Sequence, residues 1–381
     1  MSRLVLPLLL SVGVAFAGRR RPPPDDQLPA AVPVPEVAEV FSGPLFPPTV
    51  VTTLGPVPAG LAHVGAQACA ACHPRSFEGW RHGAHAQAPS ETFVAATVGL
   101  AGCDACHRPL QPQRPTLDVV WGGRMDQVAS APNPSFDAGA WLEGVTCAAC
   151  HVRDGFVLTA DAESAERPSP HPMRFAPALA DGSTCATCHQ LAVPGAPGAL
   201  YDTWGEFERS GFAEAGVTCI SCHGRAGAEP GFVSHDVARP LEHGLTVGLS
   251  VPALRVVRGA PPVQGLVRLQ NTGAGHAIPT GSPWRRLEVR VFLEGPPDKA
   301  GTRPRRGEVL LVLGRELAVA PPFEVSADTR LQAGESREIP FALALPADVP
   351  ASGWELVVNA DDGAPEPRSR SLQRRWPLTV E

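Results

Sequence analysis

Five copies of one short pattern, Cys-x-x-Cys-His, constrain this chain more than anything else in it. They read CAACH at Cys69–His73, CDACH at Cys103–His107, CAACH at Cys147–His151, CATCH at Cys185–His189 and CISCH at Cys219–His223, and they use all 10 cysteines. Zinc ribbons also use Cys-x-x-Cys, but they need pairs of pairs, and five is odd. Zinc gives no reason for a histidine after every second cysteine. A disulfide framework closes loops, whereas identical pairs three residues apart look like ligand pairs. The pattern is the attachment site of a c-type haem. The assigned thioether positions are Cys69, Cys72, Cys103, Cys106, Cys147, Cys150, Cys185, Cys188, Cys219 and Cys222. The histidine that closes each motif is the proximal iron ligand, giving His73, His107, His151, His189 and His223. The cofactor expected is heme c, five copies covalently attached.

The remaining sequence divides around this stretch. Met1–Ala17 reads as a signal peptide: Arg3 is the positive end, Leu4–Phe16 the apolar run, and Ala15-Phe16-Ala17 the cleavage site. The run is far shorter than the ~20 apolar residues of a spanning helix. The expected location is therefore the periplasm or another exported compartment, with no membrane span after signal cleavage. Residues 18–60 are rich in proline and read as a disordered linker. Residues 61–244 form the expected pentahaem cytochrome c domain. Few side chains lie between its motifs, so haem is expected to supply most of the buried surface, with helical pieces near Pro74–Ala88 and Tyr201–Ala213.

From residue 245 to 381 cysteine disappears and alternating apolar runs begin, as in Leu287-Glu288-Val289-Arg290-Val291. Further strands are expected at Leu245–Val257, Gln264–Asn271, Val309–Val319, Glu338–Leu345, Glu355–Asn359 and Ser371–Val380. The fold class expected is a haem-packed, loop-rich, mainly α cytochrome c domain followed by an all-β immunoglobulin-like sandwich. The formal charge of −6 argues against nucleic acid as a partner and for complementary redox proteins as electron donor and acceptor.

Seven histidines lie outside the motifs: His63, His82, His85, His171, His235, His243 and His276. On spacing alone any of them is a candidate sixth ligand. Met125 and Met173 are thioether alternatives.

The segment HVGAQACAACHPRSFEGWRHGAHAQA (His63–Ala88) resembles the first-haem segment of multihaem c-type cytochromes related to hydroxylamine oxidoreductase and its tetrahaem electron acceptor. GVTCAACHVRDG, STCATCHQ, YDTWGEFERSGFAEAGVTCISCHG and NTGAGHAIPTGSPWR are similar to other segments of that group, so the resemblance spans roughly residues 60 to 345. It implies distal ligation by His85, His171, His235 and His276, with His82 and His243 competing for the fifth iron. His85 holds the histidine place of the family's S-x-H-A box, with Gly83 in place of serine. Tyr201, the single tyrosine, is read as a packing residue. Pentahaem nitrite reductases carry a Cys-x-x-Cys-Lys motif, which is missing here, and Lys299 is the only lysine. The expected function is electron transfer between redox partners, with no catalytic residue assigned. The alternative is an oxidoreductase with one open haem acting on a small nitrogen or sulfur compound.

Overall fold

The computed structural model describes residues 52–89, 104–120, 128–192, 198–225, 232–237, 240–260, 262–318, 324–362 and 371–381. The expected signal peptide, most of the proline-rich linker, Cys103 and Met125 lie outside these residues.

Short helical turns fall on or beside the described motifs: Ala66–Ala70, which holds Cys69 and ends before Cys72 and His73, Asp104–His107, Cys147–His151, Ala186–His189, which follows Cys185, and the wider Ser221–Arg225, which follows Cys219. A helical turn puts positions i, i+3 and i+4 on one side, so Cys147–His151 gathers two thiols and an imidazole on one face.

The expectation of a mainly α haem domain is overturned. Helix accounts for 23% of the structure and strand for 32%. Before residue 245 the longest described helix is Pro74–His82, nine residues, ending where Gly83 turns extended at ψ 166°. The expected helix at Tyr201–Ala213 is two short ones, Thr203–Glu208 and Gly211–Glu214. Between the helical turns run small antiparallel pairs, Thr116–Val120 with Val128–Pro132 and Leu191–Ala192 with Ala199–Tyr201. Phe156–Thr159 pairs with Val152–Arg153 on one side and Met173–Phe175 on the other. The physical reason is composition. With 43 prolines and 38 glycines in 381 residues, few windows can repay the cost of helix nucleation.

Past residue 245 two antiparallel sheets share one core. The first places Ser336–Leu343, Val263–Asn271 and Leu245–Ser250 side by side, with Val267 opposite Ile339 and Leu249. The second orders Arg305–Leu313, Leu287–Glu294, Glu355–Asp361 and Ser371–Pro377, with Val291 opposite Val309 and Val358. Leu287, Val289, Val291 and Leu293 point inward from one face of a strand and are fully buried. They meet Val267, Leu269, Phe341 and Leu343 from the other sheet around Trp354. Each such side chain contributes about 1.5–3 kcal/mol by leaving water.

A seam joins this core to the segment before the fifth motif. Arg315 donates to the Leu200 carbonyl at 2.8 Å, and the hydroxyls of Thr203 and Thr280 bond at 2.9 Å. Gly275 lies against Phe207, where an added Cβ would meet the ring at 2.8 Å. The seam fixes the loop 271–286 beside the fifth attachment motif.

Candidate metal centres

Three of the histidines expected as distal ligands face a histidine that closes an attachment motif. The rings of His85 and His189 have centres 6.4 Å apart, those of His151 and His235 6.1 Å, and those of His223 and His276 6.1 Å. Burial, then the nearby charge of His73, lowers the pKa of His171.

Backbone carbonyls aim these rings. Nδ1 of His151 bonds the Leu158 carbonyl at 2.9 Å, Nδ1 of His223 that of Val237 at 2.7 Å, and Nδ1 of His107 that of Ala88 at 3.0 Å. On the distal side, Nδ1 of His235 bonds the Val233 carbonyl at 2.9 Å and Nδ1 of His276 that of Ala277 at 3.0 Å. A carbonyl can only accept, so Nδ1 carries the proton and Nε2 keeps its lone pair. That is the second-shell arrangement of ligating imidazoles.

Burial reinforces the neutral form. Desolvation, then the charges of His85, His223, His276 and His107, lowers His189 to about 4. Burial is also the first cause lowering His85, His151, His235 and His276. The neutral imidazole is the ligating species.

The distal histidines are held by close backbone packing. The His85 carbonyl accepts from the Val145 N–H at 3.0 Å, and Gly144, at φ 64°, approaches that carbonyl so closely that a Cβ would sit 2.5 Å from it. Gly60, at φ 85°, presses on the Pro170 carbonyl next to His171, where a Cβ would be 1.9 Å away. Trp80 donates to the Val145 carbonyl at 2.8 Å and ties the helix after the first motif to the third.

The motifs also touch one another, and not in chain order. Cys69 lies beside Cys147, Cys106 beside Cys188, and Cys185 beside Cys219. Cys185 and Cys188 both lie close enough to Cys150 to feel its charge. The third motif therefore neighbours the first and fourth, and the fourth neighbours the second and fifth. The nine described cysteines form no disulfide among themselves.

The other histidines are placed differently. His82 sits on the exposed face of Pro74–His82 with Nε2 3.1 Å from the Glu78 carboxylate. His243 ends the exposed turn Leu241–His243, and His63 accepts from the Gly65 N–H. Met173 lies in the strand Met173–Phe175.

Two residues had no signal in the sequence. Arg153 is buried and donates to the carbonyls of Ala148 at 3.1 Å, Ala149 at 2.7 Å and Val152 at 2.5 Å, cinching the third motif. Glu206 is buried in the seam beside the His276 loop. Each reads in sequence as an ordinary surface charge, and only long-range packing buries it.

A haem iron already has four porphyrin nitrogens and takes two axial ligands from the protein. Two metal–imidazole bonds of about 2.0 Å, plus about 1.2 Å from each nitrogen to its ring centre, put the ring centres roughly 6.4 Å apart. The observed 6.1 to 6.4 Å fits a macrocycle held between each pair. Among the described residues no group of three or more His, Cys, Asp or Glu is placed to hold a metal ion by itself. Convergence in twos suits a group that brings its own equatorial ligands.

No family model matches the chain, and no curated protein matches it. Among solved structures, the chain is similar over 36% of its length to the sporulation control protein Spo0M from Bacillus subtilis, at 18% identity and TM-score 0.19, spanning 49% of that protein. The C-terminal domain of wzt is similar over 36% of this chain and 74% of its own, at 11% identity and TM-score 0.22. The CARDB domain of the PF1109 protein from Pyrococcus furiosus, crystallised with di-metal ions, gives 16% identity, 36% and 87% coverage and TM-score 0.20. The chain thus spans about half the length of Spo0M. Overlaps this low carry no argument about fold or activity. Among the described residues no helix is long and apolar enough to cross a membrane.

Proposed function

We propose that this chain is an exported pentahaem c-type cytochrome that passes electrons singly between redox partner proteins. The observation that carries the reading is the set of facing histidine pairs, His85 with His189, His151 with His235, and His223 with His276, each at the spacing of two axial ligands. The haem supplies the chemistry, a one-electron change at iron. The chain supplies everything that positions it. Cysteine pairs would anchor each macrocycle and the following histidine would hold its iron from one side. His85, His235 and His276 would hold three of them from the other side, and His171, near His73, a fourth.

Where two histidines would hold an iron, no position would remain for a substrate, which favours electron transfer over catalysis at those sites. Contacts between motifs keep the sites close. The fourth motif sits at the junction, beside the second, third and fifth, so an order of sites read from the sequence is not their order in space. Exposed arginines and glutamates on the sheets suit docking to other charged redox proteins.

The test is a mass measurement and a pair of spectra on the matured protein. Five covalent porphyrins, with low-spin bands dominating the oxidised and reduced forms, is the result expected. Fewer than five attached groups, or zinc in their place, overturns the reading. Binding of carbon monoxide to a full equivalent of iron in the untreated protein favours an open, catalytic site instead.

A further inference from the structure

We propose that Glu206 is the positioning residue that holds His276 opposite His223. The inference rests on the reading of that pair as axial ligands, and it adds a residue in which no haem motif participates.

The geometry is specific. Glu206 lies on the short helix Thr203–Glu208 and is only 7% exposed. One carboxylate oxygen, Oε2, accepts from the backbone N–H of Ala277 at 3.1 Å and from the Thr280 hydroxyl at 2.8 Å. The other, Oε1, accepts from Arg330 at 2.6 Å. Ala277 follows His276 directly, and its carbonyl is the acceptor of the His276 ring. Holding the Ala277 N–H fixes the peptide that leaves His276, and with it the residue whose carbonyl meets the His276 ring. Asn271 completes the grip by donating to the carbonyls of His276 at 2.8 Å and Leu331 at 3.1 Å.

The two sides of this clamp come from distant parts of the chain. Glu206 precedes the fifth motif, whereas Ala277, Thr280 and Arg330 belong to the β-rich region. A carboxylate buried with one guanidinium and two further donors is fully engaged, and such a network tolerates little displacement. Arg330 is itself fixed, because Asp328 accepts from its Nε at 2.9 Å and from Nη2 at 2.7 Å. The clamp sets where the imidazole stands, and ligation needs that placement to within a fraction of an ångström.

Glu206→Ala and the milder Thr280→Val are matured, their porphyrins counted by mass, and compared with His276→Ala by spin-resonance spectra and carbon monoxide binding. His276→Ala is expected to open one haem in five. Glu206→Ala is expected to open that same fifth, the double variant no more than that, and Thr280→Val a smaller fraction. Free imidazole should return the Glu206→Ala signal to low spin. A Glu206→Ala protein that melts earlier but stays fully low-spin would make Glu206 an ordinary seam anchor and overturn the inference. If Glu206→Ala yields no folded protein, a Thr280→Val spectrum identical to wild type overturns it. No high-spin iron in His276→Ala removes the axial-ligand reading itself, a separate failure.

Discussion

The imidazoles of His223 and His276 stand close to parallel, with ring centres 6.1 Å apart and planes 25° from one another. One belongs to the last attachment motif and the other to a loop of the β-rich region. The other two pairs are more tilted, at 47° for His85 with His189 and 44° for His151 with His235. Each pair is closed by tertiary structure, so each is open to a single-residue test.

Removing one distal imidazole should open one site and leave the others alone. His85→Ala and His235→Ala are each expected to turn one haem in five high-spin and reactive to carbon monoxide, with five porphyrins still attached. Visible and spin-resonance spectra read the outcome. A variant that keeps every iron low-spin would dismiss its histidine as a ligand.

Chain made without haem attachment should lose order unevenly. The apolar cluster around the first and third motifs holds eight buried side chains, three of them alanine, against 22 in the β-rich core. Hydrogen exchange on the full chain from cells lacking attachment machinery should find protection in residues 263–361 and little in residues 61–223. Equal protection in both would show that side chains alone suffice for the haem region.

Arg153 should prove costly to replace. Its guanidinium donates to two carbonyls of the third motif and to that of Val152 just after it, and burial lowers its pKa to about 10. Arg153→Met leaves those acceptors in the interior and should destabilise by about 3 kcal/mol in denaturant titration. Arg153→Lys should recover little of the loss, because an ammonium cannot span the same fork of acceptors. Full recovery by lysine would contradict this account.

Acid should weaken the Asp328–Arg330 pair. Burial alone raises the Asp328 carboxyl, but hydrogen bonds and charge from Arg330 outweigh it and leave the group below its ordinary value. A depressed carboxylate stabilises fully above the unfolded pKa, about 3.9, and loses that contribution as pH falls through the lower folded value. Asp328→Asn should therefore melt below wild type at pH 6, and the gap should narrow as pH drops under about 4. A gap constant down to pH 2.5 would rule out the charged carboxylate as its source.

In the β-rich core, Trp354 is 1% exposed and its indole N–H donates to the Pro350 carbonyl at 3.0 Å. Trp354→Ala should cost about 3–5 kcal/mol, measured by urea unfolding. A loss under 1 kcal/mol would mean the two sheets close over the gap.

Much of the β-rich region was legible in sequence because its signal is local. Leu287–Val291 alternates as the sequence reads, with Leu287, Val289 and Val291 buried, and the strand then runs on through Phe292, Leu293 and Glu294, all buried. The strand Arg305–Leu313 begins before the apolar run expected at Val309, since Arg306 and Arg305 extend the pairing to Leu293 and Glu294 past a bulge. The mainly α expectation failed for the opposite reason. Cysteine spacing specifies one turn of helix, and nothing in it says whether the turn continues. Glycine or proline follows within a few residues of several turns, as Gly83, Pro109, Gly182 and Gly216 do, and short strands fill the gaps.

The sequence by itself determined where the five Cys-x-x-Cys-His motifs fall and which histidine closes each, since both are read from neighbouring residues. It also narrowed the facing histidines to seven. Only the tertiary structure decided that His276 stands before His223, that the first motif adjoins the third, and that Glu206 meets Arg330. Those pairings join segments far apart in the chain, and they are set by how whole elements pack, which no local pattern of residues encodes.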